Sequence, residues 1–272
     1  MCDVPALRFP EFTEEWERIR VSDLLDFYST NSLSWEQLEY EQNEPYNLHY
    51  GLIHVGLPTL IDLTKDELPS IKDGNAPKKY ELCKEGDVAF ADASEDTNEV
   101  AKIVEFYNLD GKKVVCGLHT IHGRNNNKQT AQGFLGYCFS STVFHNQIRR
   151  IAQGTKIYSI STKNFSEVFV GLPNKKEQQK IATLLRLIDE RIVTQNKIIE
   201  KLETLIKGIV ELSFNHAATS DTLGCHITQI SQRNKNGKDL PVLSASNKHG
   251  FVEQSEQFED RIIASDDKAI TK

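Results

Sequence analysis

The sequence predicts an α+β protein in which a mixed α/β domain at residues 1–172 runs into one long coiled-coil helix at 173–214. Two observations carry this reading. Short apolar runs separated by Gly, Pro, Asn and Asp fill the first 172 residues, the pattern of strands and short helices joined by turns. From Pro173 onward that punctuation stops and a heptad spacing takes over, the pattern of a coiled-coil seam.

Across residues 7–28 the apolar residues Phe9, Phe12, Trp16, Ile19, Val21, Leu24, Leu25 and Phe27 are closely spaced, with acids between Glu11 and Glu17. This segment reads as a lead-in followed by a short helix or strand packed on a core. Residues 29–79 are polar and contain Pro45, Pro58, Pro69 and Pro77, so loops are expected there, with short strands around 48–55 and 59–63. Gly86-Asp87 turns the chain into a strand that ends near Ala91. Segments 100–107 and 112–117 are expected to pair as a hairpin about Asp110-Gly111, a dipeptide that supplies positive φ at low cost. Residues 119–132 read as a polar loop, and 133–151 as a helix ended by Gly154. Inside that helix Gly133-Phe134-Leu135-Gly136 matches the four-residue pattern of loops that clamp RNA backbone, although its apolar pair reads as a helix entry.

The long helix has a marked start. Asn174 can cap it, and Glu177 stands three residues on, where a capping-box carboxylate reaches back to the free amide of the cap. Beyond it Ile181, Leu185, Ile188, Ile192, Gln195, Ile199, Leu202, Ile206 and Ile209 recur at steps of four and three. Such a seam demands a partner helix, and Gln195, its one polar residue, reads as a register device. A helix over residues 175–214 would run roughly 60 Å at 1.5 Å per residue, too long for one small domain to cover. Just past it, Ser220-Asp221-Thr222-Leu223-Gly224 weakly repeats Ser22-Asp23-Leu24-Leu25-Asp26, at the place where a second copy of the whole unit would begin.

At 272 residues the chain has room for about one to two domains. No run approaches 18 apolar residues, and residues 1–10 carry Asp3 and Arg8 without an apolar signal core. A soluble cytoplasmic protein with no membrane partner is therefore expected. Cys2, Cys83, Cys116, Cys138 and Cys225 are far apart, with no pair at the close spacing of zinc sites, so buried thiols are expected rather than ligands or disulfides. The net charge of −7 divides unevenly. Residues 1–100 hold 22 acids and 8 bases, whereas residues 101–180 hold 4 acids and 12 bases. A basic stretch inside an acidic protein is the electrostatic footprint of a phosphate-bearing partner, or else a solvated face balancing its acidic neighbour.

Enzyme signatures are missing: no phosphate loop with Lys-Ser/Thr, no Gly-x-Ser-x-Gly, no His-Glu-x-x-His and no dinucleotide fingerprint. The densest constellation is His119-Thr120-Ile121-His122-Gly123-Arg124-Asn125-Asn126-Asn127-Lys128-Gln129. Arg contacts guanine O6 and N7 together, Asn and Gln pair with adenine N6 and N7, and Lys holds phosphate. The plain alternative is a solvated loop. His119 and His122 offer metal-ligating nitrogens, but no Cys, Glu or Asp lies close by in sequence to complete a site, so no metal is expected. A second cluster, Arg149 and Arg150 with Lys156, flanks the apolar stripe of Phe144, Ile148 and Ile151, where it can reach phosphate or simply face solvent.

Taken together these residues resemble the specificity subunit of a type I restriction-modification system. The resemblance covers most of residues 7–272. It rests on Leu7-Arg8-Phe9-Pro10-Glu11-Phe12 with Trp16, on Glu85-Gly86-Asp87-Val88 leading to Ala91-Asp92-Ala93-Ser94-Glu95-Asp96, and on Gly117-Leu118-His119-Thr120-Ile121. It continues through Gln147-Ile148-Arg149-Arg150 and Gln153-Gly154-Thr155-Lys156 to Glu177-Gln178, Ile181-Ala182, Leu185, Ile188-Asp189 and Ile192. The resemblance implies a target-recognition domain that reads one half of a bipartite site in double-stranded DNA, with the long helix as a spacer. Methyl transfer and cleavage would belong to partner modification and restriction subunits, so no catalytic residue and no cofactor are expected here.

A DNA-facing loop is accordingly assigned to His119, Thr120, His122, Arg124, Asn125, Asn126, Asn127, Lys128 and Gln129, with Arg124 expected to contact a base. Arg149, Arg150, Lys156 and Lys163 are assigned to phosphate. Asp92, Ser94, Glu95 and Asp96 are secondary candidates, since carboxylates accept from cytosine N4. A complete member of the family has two recognition domains and two antiparallel helices. Residues 215–272, with Arg233-Asn234, Leu243-Ser244-Ala245-Ser246-Asn247 and Ser255-Glu256-Gln257-Phe258-Glu259, resemble only the opening of a second one. A truncated subunit is expected, its seam paired with a second copy or with another half-subunit. The rival readings are a coiled-coil adaptor, a small metal hydrolase and an inactive truncated product.

Overall fold

Alternation along one strand sets the layering of the first unit. In β7 (Val88–Ala91) the side chains of Val88 and Phe90 enter one core, and those of Ala89 and Ala91 enter another, as the two-residue period of a strand requires. Both faces are buried, so a layer lies on each side of its sheet. The computed structural model describes residues 7–41 and 43–214, and beyond them 222–225, 227–228, 232–233, 241, 243–247, 250–253 and 270–271. The chain divides into two units, residues 1–200 and 201–272.

The N-terminal apolar run folds as β1 (Glu17–Arg20), α1 (Val21–Leu24) and β2 (Asp26–Tyr28). The proline-bearing region gives β3 (Leu38–Glu39), β4 (Tyr46–Leu48), β5 (Leu60–Asp62) and β6 (Ser70–Ile71). The strand expected over 48–55 is instead the short helix α2 (Tyr50–His54), capped by the His49 ring accepting from the Gly51 amide. After β7 come β8 (Ala93–Ser94), β9 (Ile103–Asn108), β10 (Val114–Cys116) and β11 (Thr120–Arg124).

Asp110 and Gly111 do turn at positive φ, 54° and 72°, but the strands on either side do not form the expected hairpin. β9 joins a five-stranded sheet in the order β2-β11-β7-β9-β5, whereas β10 leaves for a four-stranded sheet ordered β10-β4-β6-β3. There it pairs in parallel with β4, Cys116 opposite Leu48. The turn chemistry is local, and the choice of partner strand is not.

The predicted helix over 133–151 is two helices, α3 (Phe134–Phe139) and α4 (Thr142–Ile151). They are separated because the Ser141 hydroxyl caps α4 at the Phe144 amide. Gly133 enters α3 at φ 82° with Phe134 and Leu135 buried behind it. Gly154 does not terminate α4, whose C-cap is Ala152; it sits at φ 140° in a turn where an added Cβ would strike the Ile157 carbonyl. The chain then forms β12 (Tyr158–Ser159), α5 (Thr162–Ser166) and β13 (Phe169–Leu172). Phe90, Phe139, Phe144 and Phe165 interlock by edge and tilted contacts 4.6–5.9 Å apart between the five-stranded sheet and α3 to α5. The opposite face of that sheet packs with α2 and the four-stranded sheet on Leu48, Ile53, Val104, Phe106 and Val114.

The long helix is α6 (Lys175–Phe214). Asn174 caps it, its Oδ1 accepting from the Glu177 amide at 3.0 Å. The predicted return bond from Glu177 does not form, because its carboxylate is taken elsewhere. It is fully buried and accepts from Arg8 Nε at 2.6 Å, Arg8 Nη2 at 2.7 Å and Trp16 Nε1 at 3.2 Å. Next to it β1 pairs with β13, so the first and last strands of the unit close together at the helix start. Ile181 packs against the core, whereas Ile188, Ile192, Ile199, Leu202, Ile206 and Ile209 are exposed.

Past α6, β14 (Gln232–Arg233) pairs with β17 (Ile270–Thr271), and β15 (Leu243–Ser246) with β16 (Gly250–Glu253). The second-domain motifs at Asn234 and at 255–259 lie outside the described residues. No helix of the described residues is long and apolar enough to cross a membrane.

Candidate nucleic-acid interface

The stretch 119–129 is not one loop. Its centre is β11, all five of whose residues are buried, and its polar side chains survive there only because each has a partner. Thr120 donates to the Gly117 carbonyl at 2.6 Å. His122 Nε2 lies 2.8 Å from Asp87 Oδ2. Arg124 forms a two-pronged pair with Asp87, Nε and Nη2 each at 2.8 Å, reaches Glu81 at 2.6 Å and the Leu82 carbonyl at 2.8 Å, and lies over the Tyr28 ring at 4.4 Å. These partners raise the Arg124 pKa and hold Asp87 below the usual carboxylate range despite its burial. Thr120, His122 and Arg124 are therefore internal. The assignment of these three to a DNA-facing loop is corrected: a buried side chain with its donors spent has none left for a base edge.

β11 also separates the remaining candidates. His119 and Asn125 stand at its two ends, roughly 20 Å apart at about 3.4 Å per residue. Beyond Arg124, Asn126, Asn127, Lys128 and Gln129 are exposed and Asn125 half-buried. Asn126 donates to Asp26 and to the Tyr28 hydroxyl, and the carbonyls of Lys128 and Gln129 accept from Lys175 and Gln178 at 3.1 and 3.3 Å. Asn125, Asn126 and Lys128 line a cleft of 670 Å³ together with Lys84, Lys175, Gln179 and Arg186. Sequence reasoning missed these last four. Lys175, Gln179 and Arg186, spaced four and seven apart on one helix, carried a signal of sharing a face.

At the other end of β11, four segments converge. His119, with φ 54°, places Nδ1 3.0 Å from Asp92 Oδ1 and its ring against Tyr50. β8 pairs with β12, setting Ser94 opposite Tyr158. The Ile160 amide donates to the Asp92 carbonyl at 2.9 Å, two residues before α5, on which Lys163 is exposed. Arg149 donates to Asn98 at 2.7 Å, and the Asp96 carboxylate accepts the Asn98 amide at 2.8 Å. Glu95, Asp96, Arg149, Arg150, Lys156 and Lys163 are exposed, while Asp92 and Ser94 are half-buried. Asn98, between the acids and Arg149, was not anticipated.

The charges sort in the same way. Lys102, Lys112, Lys113, Arg124 and Lys180, all from the basic stretch, are ion-paired to acids. Among the described residues no ion pair engages Arg149, Arg150, Lys156 or Lys163. Of the basic stretch, cations without an ion pair among the described residues stand at both ends of β11: these four at this end, and Lys128 and Lys175 at the cleft.

The sequence model of the type I restriction modification DNA specificity domain matches residues 64–204. The chain belongs to that family. The matched span of this type I specificity-domain chain covers both ends of β11, all of α4 and most of α6. In fold it is similar to a type I restriction-modification S subunit from M. genitalium, with a TM-score of 0.52, 17% identity, and coverage of 79% of this chain and 50% of that one. It is similar also to a chain from a structure of complex assembly and conformational transition of the type I R-M system, with a TM-score of 0.50, 16% identity, and coverage of 80% and 48%. The chain thus spans about half the length of these proteins. No curated protein matches it.

Proposed function

We propose that this chain is a non-catalytic specificity subunit whose first unit reads one half of a bipartite duplex DNA site and directs modification and restriction subunits to it. The observation that carries the reading is the meeting of Asp92, Ser94, Asp96, Asn98 and His119 with Arg149 at one end of the β7–β11 pair, with Arg150, Lys156 and Lys163 exposed on the segments that follow. Carboxylates, amides and an imidazole supply acceptors and donors for base edges, and the surrounding cations supply the sequence-independent attraction to phosphate. The cleft at the other end of β11, with Asn125 to Gln129, serves in this reading as backbone support for the helix start. The exposed heptad face of α6 pairs with a second long helix and so sets the distance between two half-sites.

The chain is to be expressed with its modification subunit in a methylation-free host, and methylated bases mapped across the genome. An interrupted motif is expected, palindromic if two copies pair and asymmetric if a different half-subunit completes the reader. Absence of any motif, with both proteins soluble and associated, would remove the proposal.

A further inference from the structure

Cys83, 33 residues before Cys116, meets Cys116 and His122 between the two sheets. Cys116 ends β10 of the four-stranded sheet, and Cys83 follows Leu82, which bridges to Val115 of the same strand. His122 is the middle residue of β11 in the five-stranded sheet. All three are buried, His122 completely. The two sulfurs lie 3.6 Å apart, and one ligating atom from each of the three residues lies within 4.8 Å of the others. The Nε2 atom of His122 is taken by Asp87, while its Nδ1, shut away from solvent, has no hydrogen-bond partner. A buried polar nitrogen left without a partner is destabilising, so this one needs a reason.

We propose that Cys83, Cys116 and His122 bind one zinc ion. Two Zn–S bonds of about 2.3 Å at a tetrahedral angle hold sulfurs roughly 3.8 Å apart, close to the spacing here. Two thiolates and an imidazole also make a soft donor set that selects zinc over magnesium or calcium. The orphaned Nδ1 supplies the third bond. Asp87 then accepts from Nε2–H, as the carboxylate behind a zinc-bound histidine does to fix ring and tautomer, and Arg124 holds that carboxylate from its far side. Charge balances: two thiolates neutralise the ion, and Arg124 neutralises Asp87. Each bound thiol gives up its proton, so two protons leave per ion and affinity falls as pH is lowered. Three protein ligands leave a fourth position for water. Burial closes the site to substrates, so its role is structural, a tie between the sheet that carries Cys116 and the strand whose end presents His119.

The test is cobalt substitution in the full chain, purified reduced and without chelator. One equivalent of Co²⁺ with sulfur-to-metal charge-transfer absorption, displaced by Zn²⁺ and lost in a Cys83→Ser/Cys116→Ser variant of unchanged circular dichroism, is the expected result. No stoichiometric cobalt, or cobalt bound without charge-transfer bands, would overturn the proposal, as would bands that persist in a folded double variant. The spectrum of the unaltered chain decides the matter even where that variant fails to fold. DNA binding plays no part in the readout, so its outcome is independent of the functional reading above.

Discussion

Arg124 looks in the sequence like a base reader and is in the fold a buried pillar. Removing it leaves Asp87 and Glu81 without their cation, and breaking a buried pair in this way costs about 3–5 kcal/mol. Arg124→Ala is therefore expected to lower the thermal midpoint sharply and to weaken DNA binding equally on all sequences. Loss of preference at a single base, with stability intact, would return it to the interface. Glu105 poses a different problem. It lies in β9 with its carboxyl buried beneath α3, accepting from the Gly133 and Gly136 amides at 2.5 and 2.8 Å, and burial raises its pKa from 4.5 to about 7. Between those values the folded protein holds a proton that the unfolded chain has released, so the contribution of Glu105 to stability is full below about pH 4.5 and is lost as pH rises towards 7. At roughly 1.4 kcal/mol per unit, the decline is about 3 kcal/mol. In a Glu105→Gln variant, urea melts across this range are expected to lose that slope while starting from a lower stability, since the amide nitrogen cannot accept. A slope that survives would place the titration elsewhere. What hid both residues from the sequence is that their partners are remote: a strand reading Thr-Ile-His-Gly-Arg looks solvent-facing until Asp87 and Glu81, some 40 residues earlier, close over it.

Among the elements, α6 was the most legible, because its signals are local. The Asn174 cap and the heptad rhythm need no knowledge of the rest of the chain. Even so, its first turn departed from expectation, since Glu177 exchanged its own cap for Arg8 and Trp16. The exposed seam leads to a prediction at this scale. Lysines introduced together at Ile188 and Leu202 set charges on the apolar face, and light scattering should then report a monomer where the unaltered chain is paired. A dimer that persists would mean that α6 does not form the contact. The strands were less legible. The Asp110-Gly111 turn was evident, but β10 chose a partner almost 70 residues upstream, and no local pattern distinguishes that choice from a hairpin. The candidate interface was legible only in pieces. The residue types were visible, while their division between the two ends of a buried strand was not.

At the scale of the chain, the net charge is −7, while Arg149, Arg150, Lys156 and Lys163 of the first unit are exposed and join no ion pair among the described residues. Affinity for duplex DNA should therefore fall steeply with salt, and Lys156→Ala should flatten the log–log slope by about one while weakening all sequences alike. Fluorescence anisotropy over a salt series would show it, and an unchanged slope would place Lys156 off the phosphates. The closure of the first unit has a consequence during synthesis as well. Arg8 and Glu177 are 169 residues apart, and a ribosome adding about 5–20 residues per second separates them by roughly 10–30 s. Through that interval β1 has no β13 to pair with and Arg8 no carboxylate. The first unit can be sealed only after the first turn of α6 has emerged, so that helix is the last stitch in the unit as well as the first part of whatever follows it.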